Sequence, residues 1–293
     1  MDIKLQTFLT LCELMNYRLT AEQLNLTQPA VTKQIQSLEN EYNTKLFIYD
    51  KRRLTKTDSC KLLESYAQSM RYNYNELQKA FSKESYKILR VGATKTIGDY
   101  VICDAIERYL LNSDNHISLI IDNTTRLLDM LKKNLIDFAI VEGIFPKKNY
   151  DFRLLKNENF IGICSASHPF CGKTIPLADI FSQSVIVREK GSGTRNIFER
   201  ELSANGYSID TFAHISEISS FKLICRLVSA GIGISFVYEA VYKSFPQLGC
   251  FNISEFSPTH EYNTVFLKNT KASQLADSFL RQCHLDAVDN QNT

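Results

Sequence analysis

The sequence predicts an α/β protein in which a small helical unit with a basic hairpin leads into one long helix and then a larger α/β region. Three observations carry this expectation. Residues 16–57 read as two short helices around a tight connection followed by a hairpin. Residues 58–86 contain no Gly or Pro and keep an unbroken amphipathic pattern. From Ile88 onward short β-rich runs alternate with helical ones, the pattern of an α/β fold with largely parallel sheets. A chain of 293 residues has room for two or three domains.

The second helix of the opening unit starts at Thr27, whose hydroxyl can accept from a free backbone N–H of the first turn. Pro29 falls in that turn, where a missing donor costs nothing. Val31, Ile35, Leu38 and Tyr42 then form one apolar stripe at helical spacing. The other face carries Gln28, Pro29, Thr32, Lys33, Gln36 and Asn40. Such a helix packs one side on a small core and offers amide, hydroxyl and ammonium groups to base edges and phosphates in a DNA major groove. Lys51, Arg52, Arg53 and Lys56 crowd the hairpin that follows. A charge run of this kind is usually a solvated face, and similar helical geometry also serves protein binding. Placed directly after a recognition helix, the same cations are positioned for a phosphate strand or a minor groove. The net charge is only +2, so affinity for DNA has to come from this local patch.

In the long helical run Leu63, Met70 and Leu77 repeat every seven residues, with Ala67, Tyr74 and Phe81 as the matching second row. Spacings that alternate four and three define a coiled-coil seam. An amphipathic helix leaving a small domain has little of its own chain to cover it, so the seam is expected to pair with a second subunit.

Beyond it, strands are expected at 88–93, 117–121, 137–141, 160–164, 184–187, 233–237 and 264–267, and helices at 97–111, 124–134, 194–205, 219–230 and 271–284. Ligands of open α/β sheets bind beyond the C-terminal ends of the strands, where helix N-termini point. Three strand-to-helix junctions there are rich in small hydroxyl residues: Thr94 and Thr96, then Gly191-Ser192-Gly193-Thr194, then Ser219-Ser220. Asn123 and Thr124 add a fourth contact. Free N–H groups, hydroxyls and a positive helix end suit an anion. Taken singly, each junction is better read as a helix cap. Glycine on both sides of Ser192 lets backbone approach a ligand closely.

Several classes are disfavoured. The GSGTRN stretch lacks the third glycine of a dinucleotide fingerprint, and no GxxxxGK[ST] occurs. The five histidines form no local catalytic or metal pattern, and the eight scattered cysteines show no zinc spacing. Catalytic residues, metal and cofactor are therefore expected to be absent. The cysteines read as buried free thiols of a reducing cytoplasm. Asp2, Lys4 and Glu13 break up the first apolar stretch, and no run approaches a membrane span.

The N-terminal region resembles the LysR-type transcriptional regulators. The resemblance rests on Leu5-Gln6-Thr7-Phe8, Thr20-Ala21-Glu22-Gln23-Leu24, Thr27-Gln28-Pro29-Ala30-Val31-Thr32, Leu38-Glu39 and Leu46-Phe47, in order and at matching distances. Thr20, Tyr49 and Cys60 stand where the family commonly has alanine, arginine and glycine. The GSGTR stretch resembles the effector loop of the sulfur-assimilation and carbon-fixation branch. The resemblance implies a winged helix-turn-helix over 1–57, a linker and dimerisation helix over 58–87 and an effector-binding domain over 88–293. That domain would be two-lobed and periplasmic-binding-protein-like, with lobe I about 88–161 plus 268–293 and lobe II about 162–267. The expectation is a cytoplasmic homodimer or homotetramer that binds double-stranded promoter DNA. Gln28, Pro29, Thr32 and Lys33 would read bases beside Thr27 and Gln36, and Lys51, Arg52 and Arg53 would grip the backbone. A small anionic effector would modulate it. A ligand-binding or transport-type protein with a fused helical domain is the alternative.

Overall fold

The computed structural model describes residues 1–51, 53–81 and 88–285. Arg52 lies outside them. The chain forms two compact units; one contains the N-terminal helices, the hairpin and the long helix, together with Lys132–Asn134 and Leu267–Lys271.

The first unit begins with α1 (Ile3–Leu14), α2 (Tyr17–Gln23) and α3 (Gln28–Glu41). Local capping sets each start: Asp2 accepts from the Lys4 N–H, Asn16 from those of Arg18 and Leu19, and Thr27 from that of Ala30. Strands β1 (Phe47–Asp50) and β2 (Arg53–Lys56) then pair antiparallel, with Asp50 opposite Arg53. The long helix α4 spans Asp58–Phe81. Phe8, Leu9, Leu11, Val31, Ile35, Leu38 and Leu46 form the core. Tyr42, expected in the buried stripe, is 48% exposed, because α3 ends at Glu41 and the stripe ends with it.

The second unit is α/β. Its chain order is β3 (Ile88–Ala93), α5 (Lys95–Tyr100), α6 (Cys103–Leu110), β4 (His116–Ile121), α7 (Thr124–Lys132), β5 (Phe138–Glu142) and β6 (Asp151–Ser165). Then come β7 (Thr174–Ile175), β8 (Ser184–Val187), α8 (Gly193–Ala204), β9 (His214–Glu217) and α9 (Phe221–Ser229). The last elements are β10 (Ser235–Tyr238), α10 (Glu239–Lys243), β11 (Leu248–Ile253), β12 (Thr259–Phe266) and α11 (Ala272–Gln282).

The sheet order is β4-β3-β5-β12-β6-β11-β7, with β10 also on β6. Between the named strands, parallel pairing occurs in β4-β3-β5, β11-β7 and the separate β8-β9 pair, while β10 and β11 pair antiparallel with β6, and β12 pairs antiparallel with β5 and β6. The sheet is thus mixed, not largely parallel. The difference arises in β6, of which only residues 160–164 stand out as apolar. Its first nine residues, Asp151 to Asn159, pair with β12. From Phe160 to Ser165 it pairs instead with β10 and β11. One strand therefore joins two sets of partners in the sheet. Its N-terminal half escapes an apolar search because Asp151, Arg153 and Asn157 point to solvent between half-buried neighbours.

Candidate DNA interface and effector site

On α3 the buried row is Val31, Ile35 and Leu38, and Thr27, Gln28, Pro29, Lys33 and Gln36 are exposed on the opposite side. Thr32 is half-buried and its hydroxyl donates to the Gln28 carbonyl, so it is partly spent on its own helix. Lys51 and Arg53 are exposed on the hairpin, with Lys51 at a positive φ of 46° in its turn. Lys56 departs from the expected cluster. It bonds both oxygens of Glu64 at 2.9 and 2.8 Å, with both side chains largely covered.

Glu39 was read only as half of a Leu-Glu pair, yet it ties the hairpin to α3. It is buried, accepts from the Leu46 N–H at 3.0 Å, and meets Lys45 Nζ at 2.7 Å. A carboxylate that accepts a backbone N–H at the entry of β1 sets where the hairpin leaves the helix.

The α4 seam needs a correction. Ala67 is fully buried against the winged-helix core, and Leu63 packs on the same cluster. Both face their own chain. Met70, Tyr74, Leu77 and Phe81 stay exposed, and Leu62 and Tyr66 join them. The outward stripe therefore starts one position earlier than the heptad reading placed it, because the first turns of α4 are claimed by the small core.

In the second unit Thr96, Thr124, Gly193 and Thr194 gather around a residue that sequence reasoning passed over, Glu142. It is the last residue of β5, a strand buried throughout. Thr194 Oγ1 donates to Glu142 Oε1 at 3.2 Å, and the Thr96 hydroxyl lies 3.5 Å from that of Thr194. Thr124 donates to the Glu142 carbonyl at 3.4 Å. Gly193 has a steric reason: a Cβ there would sit 2.8 Å from Glu142 Cγ. The glycine accommodates this carboxylate, whereas Gly191 supplies a positive φ of 88° in the turn before α8. Ser192 is buried at the same helix start.

Burial pushes the Glu142 carboxyl up to about 7; hydrogen bonds from Thr96 and Thr194 and the positive charge of Arg188 act against that rise. Arg188 is itself buried, packs over the Phe221 ring at 4.1 Å, and bonds Glu189 through Nε and Nη2 at 2.8 and 3.0 Å. Lys95 reaches Glu189 at 3.2 Å and the Ser219 carbonyl at 3.4 Å. Thr94 is buried at the start of α5, and its hydroxyl has no partner among the described residues.

Other expected contacts are committed elsewhere. Asn123 Oδ1 accepts from the Arg126 N–H at 2.9 Å, and Ser220 Oγ accepts from the Leu223 N–H at 3.4 Å. Both cap helices, and Ser219 and Ser220 are exposed. Asn123 and Ser220 therefore follow the capping alternative. The available signal for Glu142 was an acid that ends an apolar strand just before Gly143. Among the described residues no group of three or more His, Cys, Asp or Glu could hold a metal ion, and no helix is long and apolar enough to cross a membrane.

Residues 4–61 match the bacterial regulatory helix-turn-helix protein, lysR family, and residues 84–286 match the LysR substrate binding domain. CysL of Bacillus subtilis, an HTH-type transcriptional regulator, is 24% identical over 288 residues, covering 94% of this chain and 95% of its own. The RuBisCO operon transcriptional regulator of Allochromatium vinosum is 24% identical over 276 residues, covering 90% and 89%. These relatives agree with the branch that the GSGTR loop resembles. Full-length BenM has the same fold at a TM-score of 0.58 and 20% identity, covering 97% of this chain and 96% of its own. A helix-turn-helix unit on α1 to α3 and an α/β substrate-binding domain are the two parts those families describe, and the chain belongs to the LysR-type transcriptional regulators.

Proposed function

We propose that this regulator reads promoter DNA with Gln28, Pro29 and Lys33 of α3, flanked by Thr27, Thr32 and Gln36, while Lys51, Arg52 and Arg53 hold the phosphate backbone. One observation carries the reading. The helix whose inner row is the core of the first unit presents an uninterrupted polar row outward, beside a hairpin with exposed cations. A major groove accepts such a helix, and phosphates flank it. Two copies are expected to meet along the outward stripe of α4, since Leu62, Tyr66, Met70, Tyr74, Leu77 and Phe81 would otherwise leave a long apolar face in water.

The effector is a small anion held between the lobes, where the start of α8 and the threonines of α5 face the end of β5. Its binding would shift the chain between quaternary arrangements in proportion to its differential affinity for them. The test is fluorescence anisotropy with DNA from upstream of the protein's own gene. Specific retention over scrambled DNA at equal salt, altered by a small anionic metabolite, supports the reading. Equal affinity for both DNAs overturns the recognition face.

A further inference from the structure

Glu142 places an acceptor where an anion site would be expected to hold only donors. Its carboxyl is 2% exposed and abuts the start of α8, a helix of 12 residues. Oε1 takes the Thr194 hydroxyl, whereas Oε2 is buried with no hydrogen-bond partner among the described residues. Among the described residues Arg188 Nη1, the Thr94 hydroxyl and the phenol hydroxyls of Tyr238 on β10 and Tyr262 on β12 are likewise buried without partners. Tyr262 stands opposite Glu142 in the β12–β5 pairing, and Arg188 acts on its carboxyl electrostatically. Both phenols are pushed up, first by burial and then by the charge of Glu142, which puts them within its field.

A fully deprotonated oxyanion such as sulfate can satisfy the arginine and the hydroxyls. Against Oε2 it brings a second lone pair, and two unshared acceptors facing each other in a water-poor site are costly. An oxyanion that keeps an O–H supplies the missing donor. We infer that Glu142 makes the site select small oxyanions that carry their own acidic hydrogen, inorganic phosphate and the phosphonate class, over sulfate and sulfonates. This rests on the reading that an anion binds between the lobes.

The selectivity depends on an ionised Glu142. The charged groups around that carboxyl are Arg188, and beyond it Glu189 with Lys95; Tyr238 and Tyr262 are neutral at physiological pH. With its pKa near 7, Glu142 accepts at pH 8 and becomes a donor at pH 5.5. A protonated Glu142 no longer rejects sulfate.

Titration calorimetry on the full chain tests this with two matched pairs, inorganic phosphate against sulfate and phosphonoacetate against sulfoacetate, at constant ionic strength. At pH 8 the proton-bearing member of a pair should bind about tenfold tighter, the cost of protonating a Glu142 with a pKa near 7 so that it admits the sulfur anion. In Glu142→Gln, whose amide can donate to either anion, the preference should shrink to about threefold or less. Wild-type affinity for the sulfur anions should also rise at pH 5.5, and that of the glutamine variant should not. Equal wild-type affinity for both members of a pair, or a glutamine variant that keeps the full preference, overturns the assignment while leaving anion binding intact. Binding of neither pair overturns the anion reading and this inference together.

Discussion

The hydroxyl of Thr194, at the start of α8, donates to Oε1 of Glu142, at the end of β5, over 3.2 Å. The two residues are 52 positions apart, so this bond ties together parts of the chain distant in sequence. It also partly offsets the burial that raises the Glu142 carboxyl.

Stability should therefore depend on pH through Glu142. Its folded pKa rises from 4.5 to about 7, so the folded state binds a proton that the unfolded chain releases in that window. The resulting stabilisation is complete below about 4.5 and is lost as pH rises through 7, a change on the order of 3 kcal/mol. Glu142→Gln lacks this dependence. Thermal melts from pH 5 to 8 should show the variant gaining on wild type with rising pH, and parallel curves would rule the carboxyl out as the source.

Gly193→Ala should be destabilising although a helix interior favours alanine. The added Cβ would lie 2.8 Å from Glu142 Cγ and 3.0 Å from its backbone oxygen. Overpacking of this kind costs about 1–3 kcal/mol. Gly191→Ala has space but a positive φ, so its cost is conformational and should not respond to Glu142→Ala, which removes the Cγ that clashes at position 193. A double-mutant cycle measures the coupling; zero coupling between positions 193 and 142 would refute the contact.

Removal of the Glu39 carboxylate should loosen the hairpin. Glu39→Ala leaves the buried Leu46 N–H without its acceptor, at about 1.5–3 kcal/mol for a charged hydrogen bond. Exchange of the Leu46 amide should speed up and DNA affinity should fall. Unchanged exchange would show that the hairpin is held by other contacts.

On DNA the two kinds of exposed residue should separate. Lys33→Ala or Arg53→Ala should weaken binding to all sequences and flatten the salt dependence by about 0.9 per lost phosphate contact. Gln28→Ala should change base preference by about 1–3 kcal/mol at one position. Anisotropy across a salt series on matched and mutated sites tells them apart, and full retention of affinity by all three variants would displace the docking face.

Met70→Lys with Leu77→Lys should dissociate the assembly, because two cations would enter an apolar interface. Sedimentation should show a smaller species. Leu63→Ala should instead lower the melting temperature without changing the mass, since Leu63 packs on its own core.

The sequence by itself determined the recognition helix and most of the elements. Caps such as Asn16 and Thr27, and the row Val31, Ile35 and Leu38, act within one or two turns, so neighbouring residues suffice to specify them. Strands at 88–93 and 184–187 were legible for the same reason, as buried apolar runs with clear ends. Tertiary structure alone decided which face of α4 turns outward, since a heptad is symmetric until a core claims Leu63 and Ala67. It also decided the partner switch along β6 and the site itself. Thr96, Glu142 and Thr194 meet only because strand ends and helix starts from separate parts of the chain converge. The local signal, an acid that ends an apolar strand before Gly143, does not by itself single out Glu142, because its burial comes from residues far away in sequence.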